Sequence, residues 1–382
     1  MAFTVELADL EGEPLGQPAW RELVLDRALN GGAVCACVIA NDVQAAAFAR
    51  LGRTVLRVWQ DGVLRFHGRL REPLVATPGQ VAVTAGSPYT LLDRRQVQAA
   101  ITYAQWDQGT IILDQLQNQQ DPRSPTGLRV RQPYPASVLR DRTYEAGKSV
   151  QEVIGQLAAV EHGPFFLERP VLERSSPSVY CELELRWPAA GQDRPGVRFE
   201  YGEGTIGNVA SYTLTQLLPV NGVHYVGGGI PGVAGDEGDP EAVPPVPPTP
   251  AVPEVPPPVV HVYDPDSFNT YRLLEQWHSD PDVTDAATLG EKARERLRPD
   301  PRYIVGLELV AGGPALGAPP VPRLWHEFDL GDTVYASVRD ATTEAYDLPL
   351  MVTAARLAAS AEDDSEALEL TLQPPGEEGG EG

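Results

Sequence analysis

One stretch of this sequence spells a phosphate-binding loop. Gly202-Glu203-Gly204-Thr205-Ile206-Gly207 satisfies G-x-G-x-x-G and follows Val197–Tyr201, a run of β-formers. Dinucleotide binding needs a helix next, because the unpaired amides of its N-terminus hold the pyrophosphate. The residues that follow, Asn208-Val209-Ala210-Ser211-Tyr212-Thr213-Leu214-Thr215, are rich in β-formers instead. Glu203 would also set a carboxylate where the diphosphate must lie. The stretch therefore reads as strand, turn, strand, and no cofactor is expected.

The other residue groups able to do chemistry are read the same way. Cys35 and Cys37 alternate within Ala33–Ile39 and fall on one face of a strand, but no second Cys or His pair sits at ligand spacing. They read as buried, reduced thiols made in a reducing compartment. His326-Glu327-Phe328-Asp329 offers metal-ligand types, yet its alternation suits a strand edge with solvated side chains. His67, His162, His224, His261, His278 and His326 are dispersed, as are the six tryptophans, which read as core or interface positions. Asp363 and Asp364 are neighbours among 53 acidic residues, a number that guarantees chance pairs. There is no G-x-S-x-G elbow, no H-E-x-x-H and no P-loop. No catalytic, cofactor-binding or metal-binding residue is assigned, and the chain is not expected to be an enzyme.

The elements that carry these residues are mostly short strands. Over residues 1–98, Phe3–Leu7, Glu22–Leu25, Ala33–Ile39, Leu70–Val75 and Gln80–Thr84 are β-runs broken by Gly, Pro and Asn, the pattern of a small barrel or sandwich. At their centre Thr54–Leu70 reads as a hairpin turning at Asp61-Gly62, since Gly accepts the positive φ of a tight turn. Asn41–Arg50 reads as a short helix. Residues 99–170 form a small α/β insertion with helices at Gly109–Leu116 and Ser149–Glu161. In the second helix Val150, Val153, Ile154 and Leu157 make one apolar stripe, Ser149 is the N-cap and Glu152 holds the capping-box position. Phe165–Leu167 starts a buried strand.

Residues 171–230 return to strands that complete the first half: Tyr180–Trp187, Val197–Tyr201, Ser211–Thr215 and Val223–Val226. Residues 231–260 are a Pro-rich loop or linker, whose stretch Pro244–Pro258 lacks amide donors and should run as an extended, polyproline-like spacer. Its PxxP pattern can serve as an SH3-type ligand, but the linker reading is preferred. Residues 261–375 form a second barrel-like unit, with a helix at Thr288–Arg298 and strands at Tyr303–Leu309, Phe328–Val338, Leu348–Arg356 and Ala367–Leu372. A bend falls at Gly331-Asp332, and residues 376–382 are a fraying tail. The fold class is mainly β with a small α/β insertion.

Whole-chain properties narrow the partners. With 382 residues, 42% of them hydrophobic, the chain can bury real cores. Its net charge of −23, with Lys148 and Lys292 the only lysines, offers no basic stripe for nucleic acid or anionic membranes. No signal peptide and no run of about 20 apolar residues is evident.

Several pieces now line up in order. They are Val58-Trp59-Gln60-Asp61-Gly62 with Phe66-His67-Gly68-Arg69, then Arg142–Val150 entering a helix, then Phe165-Phe166-Leu167. Gly204–Asn208 precedes Pro219–Gly227, and the Leu289–Leu297 helix precedes Leu330-Gly331-Asp332-Thr333-Val334. This succession resembles the minor tail proteins of long-tailed bacteriophages (siphoviruses), and is similar to the baseplate hub or tail-associated N-terminal module. The resemblance covers the chain except its Pro-rich insertion, which departs from the pattern.

It implies a structural protein of the virion, made in the host cytoplasm and placed at the distal tail tip. It implies two β-barrel-like hub domains with inserted subdomains, and a homotrimeric ring that continues the tail tube. The implied neighbours are the distal tail protein, tail tube, tape measure and tip or fibre proteins, with DNA crossing the lumen without specific binding. Alternatives within the particle are a hexameric distal tail adaptor or a cell-wall-degrading enzyme; outside it, a soluble carbohydrate-binding β-protein remains.

Overall fold

The computed structural model describes residues 2–41, 50–72, 75–117, 126–160, 162–173, 179–202, 207–216, 220–228, 256–281, 283–297, 304–311, 320–340, 343–363 and 365–375. The expected helix at Asn41–Arg50, nearly all of the Pro-rich loop and the last seven residues lie outside them.

The first part of the chain is all strand: β1 (Phe3–Ala8), β2 (Pro14–Gly16), β3 (Trp20–Ala28), β4 (Val34–Ala40), β5 (Val55–Gln60), β6 (Val63–Leu70), β7 (Val75–Thr77) and β8 (Gln80–Gly86). The β5–β6 hairpin turns where expected, with φ of 49° at Asp61 and 79° at Gly62. Two successive positive φ values give a turn whose twist matches the strands. The ladder skips Arg65, since Val58 pairs Phe66 while Trp59 pairs Leu64. Arg65 is thus the extra residue of a bulge, and its side chain is re-aimed.

The insertion holds β9 (Ile101–Asp107), α1 (Gln108–Gln117), β10 (Leu128–Val130), β11 (Leu139–Tyr144), α2 (Val150–Ala158), β12 (Phe165–Leu172) and β13 (Val179–Arg186). Its core gathers Ile111, Ile112 and Leu116 of α1, the expected stripe Val150, Val153, Ile154 and Leu157 of α2, and Phe166 and Leu183 of the sheet β10-β13-β12. Ser149 caps α2, its hydroxyl accepting the Glu152 amide at 3.1 Å.

The remainder comprises β14 (Asp193–Gly202), β15 (Val209–Gln216), β16 (Gly222–Gly227), β17 (Val259–Tyr263), α3 (Pro265–Tyr271), β18 (Glu275–Asp280), α4 (Ala286–Arg296), β19 (Ile304–Ala311), β20 (Thr333–Asp340), β21 (Thr343–Ser360) and β22 (Ser365–Gln373). Helix α4 starts two residues before the expected Thr288 because Asp285 supplies the cap, accepting the Thr288 amide.

The fold is mainly β, and its strands unite in a way spacing alone did not indicate. A 14-stranded sheet runs β15-β19-β22-β21-β3-β4-β8-β6-β5-β1-β2, with β7 beside β8 and β14-β20 branching from β21. The strands of residues 1–98 and 304–373 therefore meet at one ladder, β3 against β21, over a single apolar core. Two separate barrels are not what forms. The expectation that 171–230 completes the first half also gives way: β14 pairs β20, β15 pairs β19, and β13 belongs to the insertion sheet. Local β-pattern names a strand but not its partner, which distant burial selects.

Neither half closes into a barrel among the described residues. The gap between β14 and β15 is spanned by the Asn208 side chain, whose oxygen accepts from Glu200 N at 2.9 Å and whose amide donates to Arg198 O at 3.0 Å. Trp20 Nε1 reaches from β3 to Phe3 O of β1 at 3.2 Å.

Candidate interaction surfaces and a buried clasp

The strands expected on either side of the phosphate-loop look-alike are present. Gly202 ends β14, Gly207 and Asn208 enter β15, and no helix follows. Gly207 is needed for a reason other than phosphate: a Cβ there would lie 2.0 Å from Glu200 O. Residues 203–206 lie outside the described set.

Cys35 and Cys37 are buried in β4, inside the main core, and Cys181 is buried in β13. Burial pushes the Cys37 thiol up to about 12 and those of Cys35 and Cys181 well above their ordinary value. These are core side chains without thiolate chemistry. Among the described residues no three His, Cys, Asp or Glu converge to hold a metal. Asp363 sits exposed in the β21–β22 turn, and Asp364 is outside the described residues.

His326-Glu327-Phe328-Asp329 is the reading that needs correction. It is a turn in which Glu327 binds its own neighbour Arg323, but Asp329 is not solvated. Its carboxylate meets Arg27 of β3 at 3.2 Å and Arg169 of β12 at 3.1 Å. Arg169 also holds Glu184 at 2.6 Å, and Glu184 binds Arg186 at 3.1 Å. Burial alone would push Asp329 up; Arg27, Arg169 and the Leu330 amide outweigh it and hold the carboxyl below the usual range. Glu184 is lowered in the same way, by Arg169 and Arg186 against burial. Phe328 inserts into the core and draws its neighbour inward, which alternation could not foretell.

Around Asp329 the insertion is fastened to the main sheet. Arg27 also donates to Glu168 O at 3.3 Å, and the Glu168 carboxylate accepts from the Ser87 hydroxyl and from Tyr89 N. Asn30 and Phe166 exchange two bonds, of 2.8 and 3.0 Å. The guanidinium groups of Arg65 and Arg27 lie over the Trp325 ring, at 4.8 and 5.6 Å from its centre. The bulge at Arg65 delivers that side chain. The group is a mechanical clasp.

A second constellation was missed. Two of the histidines counted as dispersed, His224 of β16 and His261 of β17, sit opposite each other in the ladder and touch through their Nδ1 atoms. His224 Nε2 lies 2.6 Å from Glu275 Oε1, and Trp277 stacks flat on the His224 ring at 4.3 Å. All belong to the three-stranded sheet β17-β16-β18, whose other face packs Val223, Tyr225 and Val260 against Leu289 and Ala293 of α4. The available signal was the matching alternation of Val223-His224-Tyr225 and Val260-His261-Val262.

Among the described residues no helix is long and apolar enough to cross a membrane. A cleft of about 290 Å³ lies on the outer face of the main sheet, lined by Asp26, Tyr212, Arg356 and Glu369 among others. Arg356 spans it at 3.8 Å from both Asp26 and Glu369. These pairs are half-exposed and add little stability.

No protein-family description matches the chain, and no curated protein matches its sequence. Solved structures do. A 43 kDa prophage tail protein from Shewanella oneidensis aligns with a TM-score of 0.60 at 14% identity, covering 97% of this chain and 98% of that one. A tail protein from Neisseria meningitidis gives 0.57 at 14% identity, covering 98% and 97%. A prophage tail protein from Listeria monocytogenes gives 0.57 at 14% identity, covering 97% and 94%. The chain has the fold of bacteriophage and prophage tail proteins.

Proposed function

We propose that this chain is a structural protein of a bacteriophage tail, in which three copies form a baseplate hub ring at the distal tip. The ring continues the tail tube below the distal tail protein, encloses the end of the tape measure, and anchors tip or fibre proteins. One observation carries this reading. The likeness to the Shewanella prophage tail protein runs end to end through both chains, insertion included, and is not confined to one common module.

The clasp suits such a part, because the Asp329 ion pairs and the Arg27–Glu168 hydrogen bond tie the insertion to both halves of the sheet. DNA crosses the lumen unbound, repelled by a chain of net charge −23. No catalytic step is assigned to it. The test is gold-tagged antibody against this chain on purified tailed particles, followed by subunit counting in reconstructed tips. Gold confined to the distal tip and three copies per ring are expected. Gold on the head or along the tail sinks the tail-tip reading, and six copies replaces the hub by an adaptor ring.

A further inference from the structure

The small sheet has a second face, turned away from α4. Register places Val259, His261 and Tyr263 of β17, Gly222, His224 and Val226 of β16, and Glu275, Trp277 and Ser279 of β18 on that one face. Trp277 is 63% exposed, and Val259 and Tyr263 are each 48% exposed. A sheet face that meets only water normally carries charged residues at these alternate positions. Here Glu275 is the single carboxylate, and it is turned inward to His224 Nε2, 2.6 Å away. Trp277 is held flat by the stack on His224, with ring planes 6° apart. Tyr263 stands edge-on beside the same imidazole at 5.5 Å. The result is a rigid aromatic platform with its outer surface bare.

We propose that this platform binds the proline-rich stretch of the same chain, Pro244–Pro258. Extended proline-rich segments dock on surfaces of Trp and Tyr, ring against ring, because their backbone is already ordered and little entropy is lost. The stretch PPVPPTPAVPEVPPP has Glu254 as its sole charge, so it brings no carboxylate array onto an acidic molecule.

Its attachment favours the same copy as source. Strand β16 ends at Gly227 and β17 begins at Val259, so the stretch is tethered to two neighbouring strands of the platform itself. Pro258 O accepts from Gly227 N at 2.8 Å, which places the end of the stretch at the edge of the sheet. Polyproline advances about 3.1 Å per residue, so roughly five or six residues cross a five-residue strand. Such a tether supplies an effective concentration in the millimolar range.

The test uses the full chain and a fluorescently labelled synthetic peptide, PPVPPTPAVPEVPPP, read by anisotropy. In one variant Pro247, Pro248, Pro250 and Pro253 are each changed to Ser, which empties the platform of its own ligand. That variant is expected to bind the peptide, and the unaltered chain to bind it at least about tenfold more weakly through competition. Adding Trp277→Ala to the Ser variant should weaken binding by about tenfold or more. Trp277 is mostly exposed, so this change leaves the fold intact by circular dichroism; Val259→Glu, on the same face, is the second probe. Absence of binding by the Ser variant overturns the proposal, as does binding indifferent to both Trp277→Ala and Val259→Glu. Equal binding by the Ser variant and the unaltered chain overturns the same-copy assignment and leaves a proline-rich partner instead.

Discussion

Asp329 joins three segments that are far apart in sequence, and it does so with one carboxylate. Arg27 and Asp329 are 6% and 15% exposed at the side chain, so removing the acid strands a buried guanidinium. Breaking such a pair costs about 3–5 kcal/mol, because the remaining charge keeps its desolvation penalty without its partner. Asp329→Asn is therefore expected to lower the urea midpoint markedly at pH 7. The pH dependence has a definite sign. A carboxyl held below its unfolded value stabilises the fold fully above about pH 3.9, and that contribution is lost as pH falls through the lower folded value. The gap between native chain and Asp329→Asn should thus shrink when urea midpoints are compared at pH 7 and pH 3. A gap that stays constant would mean that the ion pair is not the source of the effect. Glu168 works in the opposite direction, since burial raises it despite the Ser87 and Tyr89 bonds. The comparison with the Asn variant isolates Asp329 from it.

At the scale of elements, α2 is the part whose local signals agree best. Ser149 has extended backbone angles and its hydroxyl accepts the Glu152 amide, while the stripe of Val150, Val153, Ile154 and Leu157 is fully buried. The acidic side chain of Glu152 pairs with Lys148, at 3.6 Å, four residues back. Ser149→Ala should cost about 1 kcal/mol of stability by losing the cap, measurable as a shift in the denaturation midpoint with unchanged slope. Glu152→Ala should cost less, since Glu152 is exposed and its pair with Lys148 is screened. Equal costs for the two variants would mean that the acid supports the start of the helix as strongly as the hydroxyl does. The hairpin β5–β6 was legible too, down to the turn residues. Its bulge was not, because skipping Arg65 sets its guanidinium over Trp325 across the molecule, and nothing in the local alternation records that contact.

For the whole molecule the governing quantity is charge. Thirty basic residues face 53 acidic ones, and four of the arginines, Arg27, Arg57, Arg140 and Arg142, are buried. A protein that binds duplex DNA must neutralise phosphates and release counterions, which such a surface cannot do. The purified chain should leave duplex DNA unshifted in a gel even at about 50 mM salt, where phosphate contacts are strongest. A retarded complex there would remove the proposal of a lumen that DNA crosses without sticking.

The sequence by itself determined the class of the fold, most strands and three helices. These follow from periodicity, caps and turn chemistry, which act over a few residues. The end of the Gly-rich match in a strand, β15, could be read from Val209–Thr215 alone. Tertiary structure decided which strands pair, and hence that β3 and β21 fuse the two halves into one sheet. It also drew Asp329 out of solvent and set His224 against His261. Ladders and ion pairs between residues hundreds of positions apart are chosen by burial of the whole core, and no local pattern carries that information.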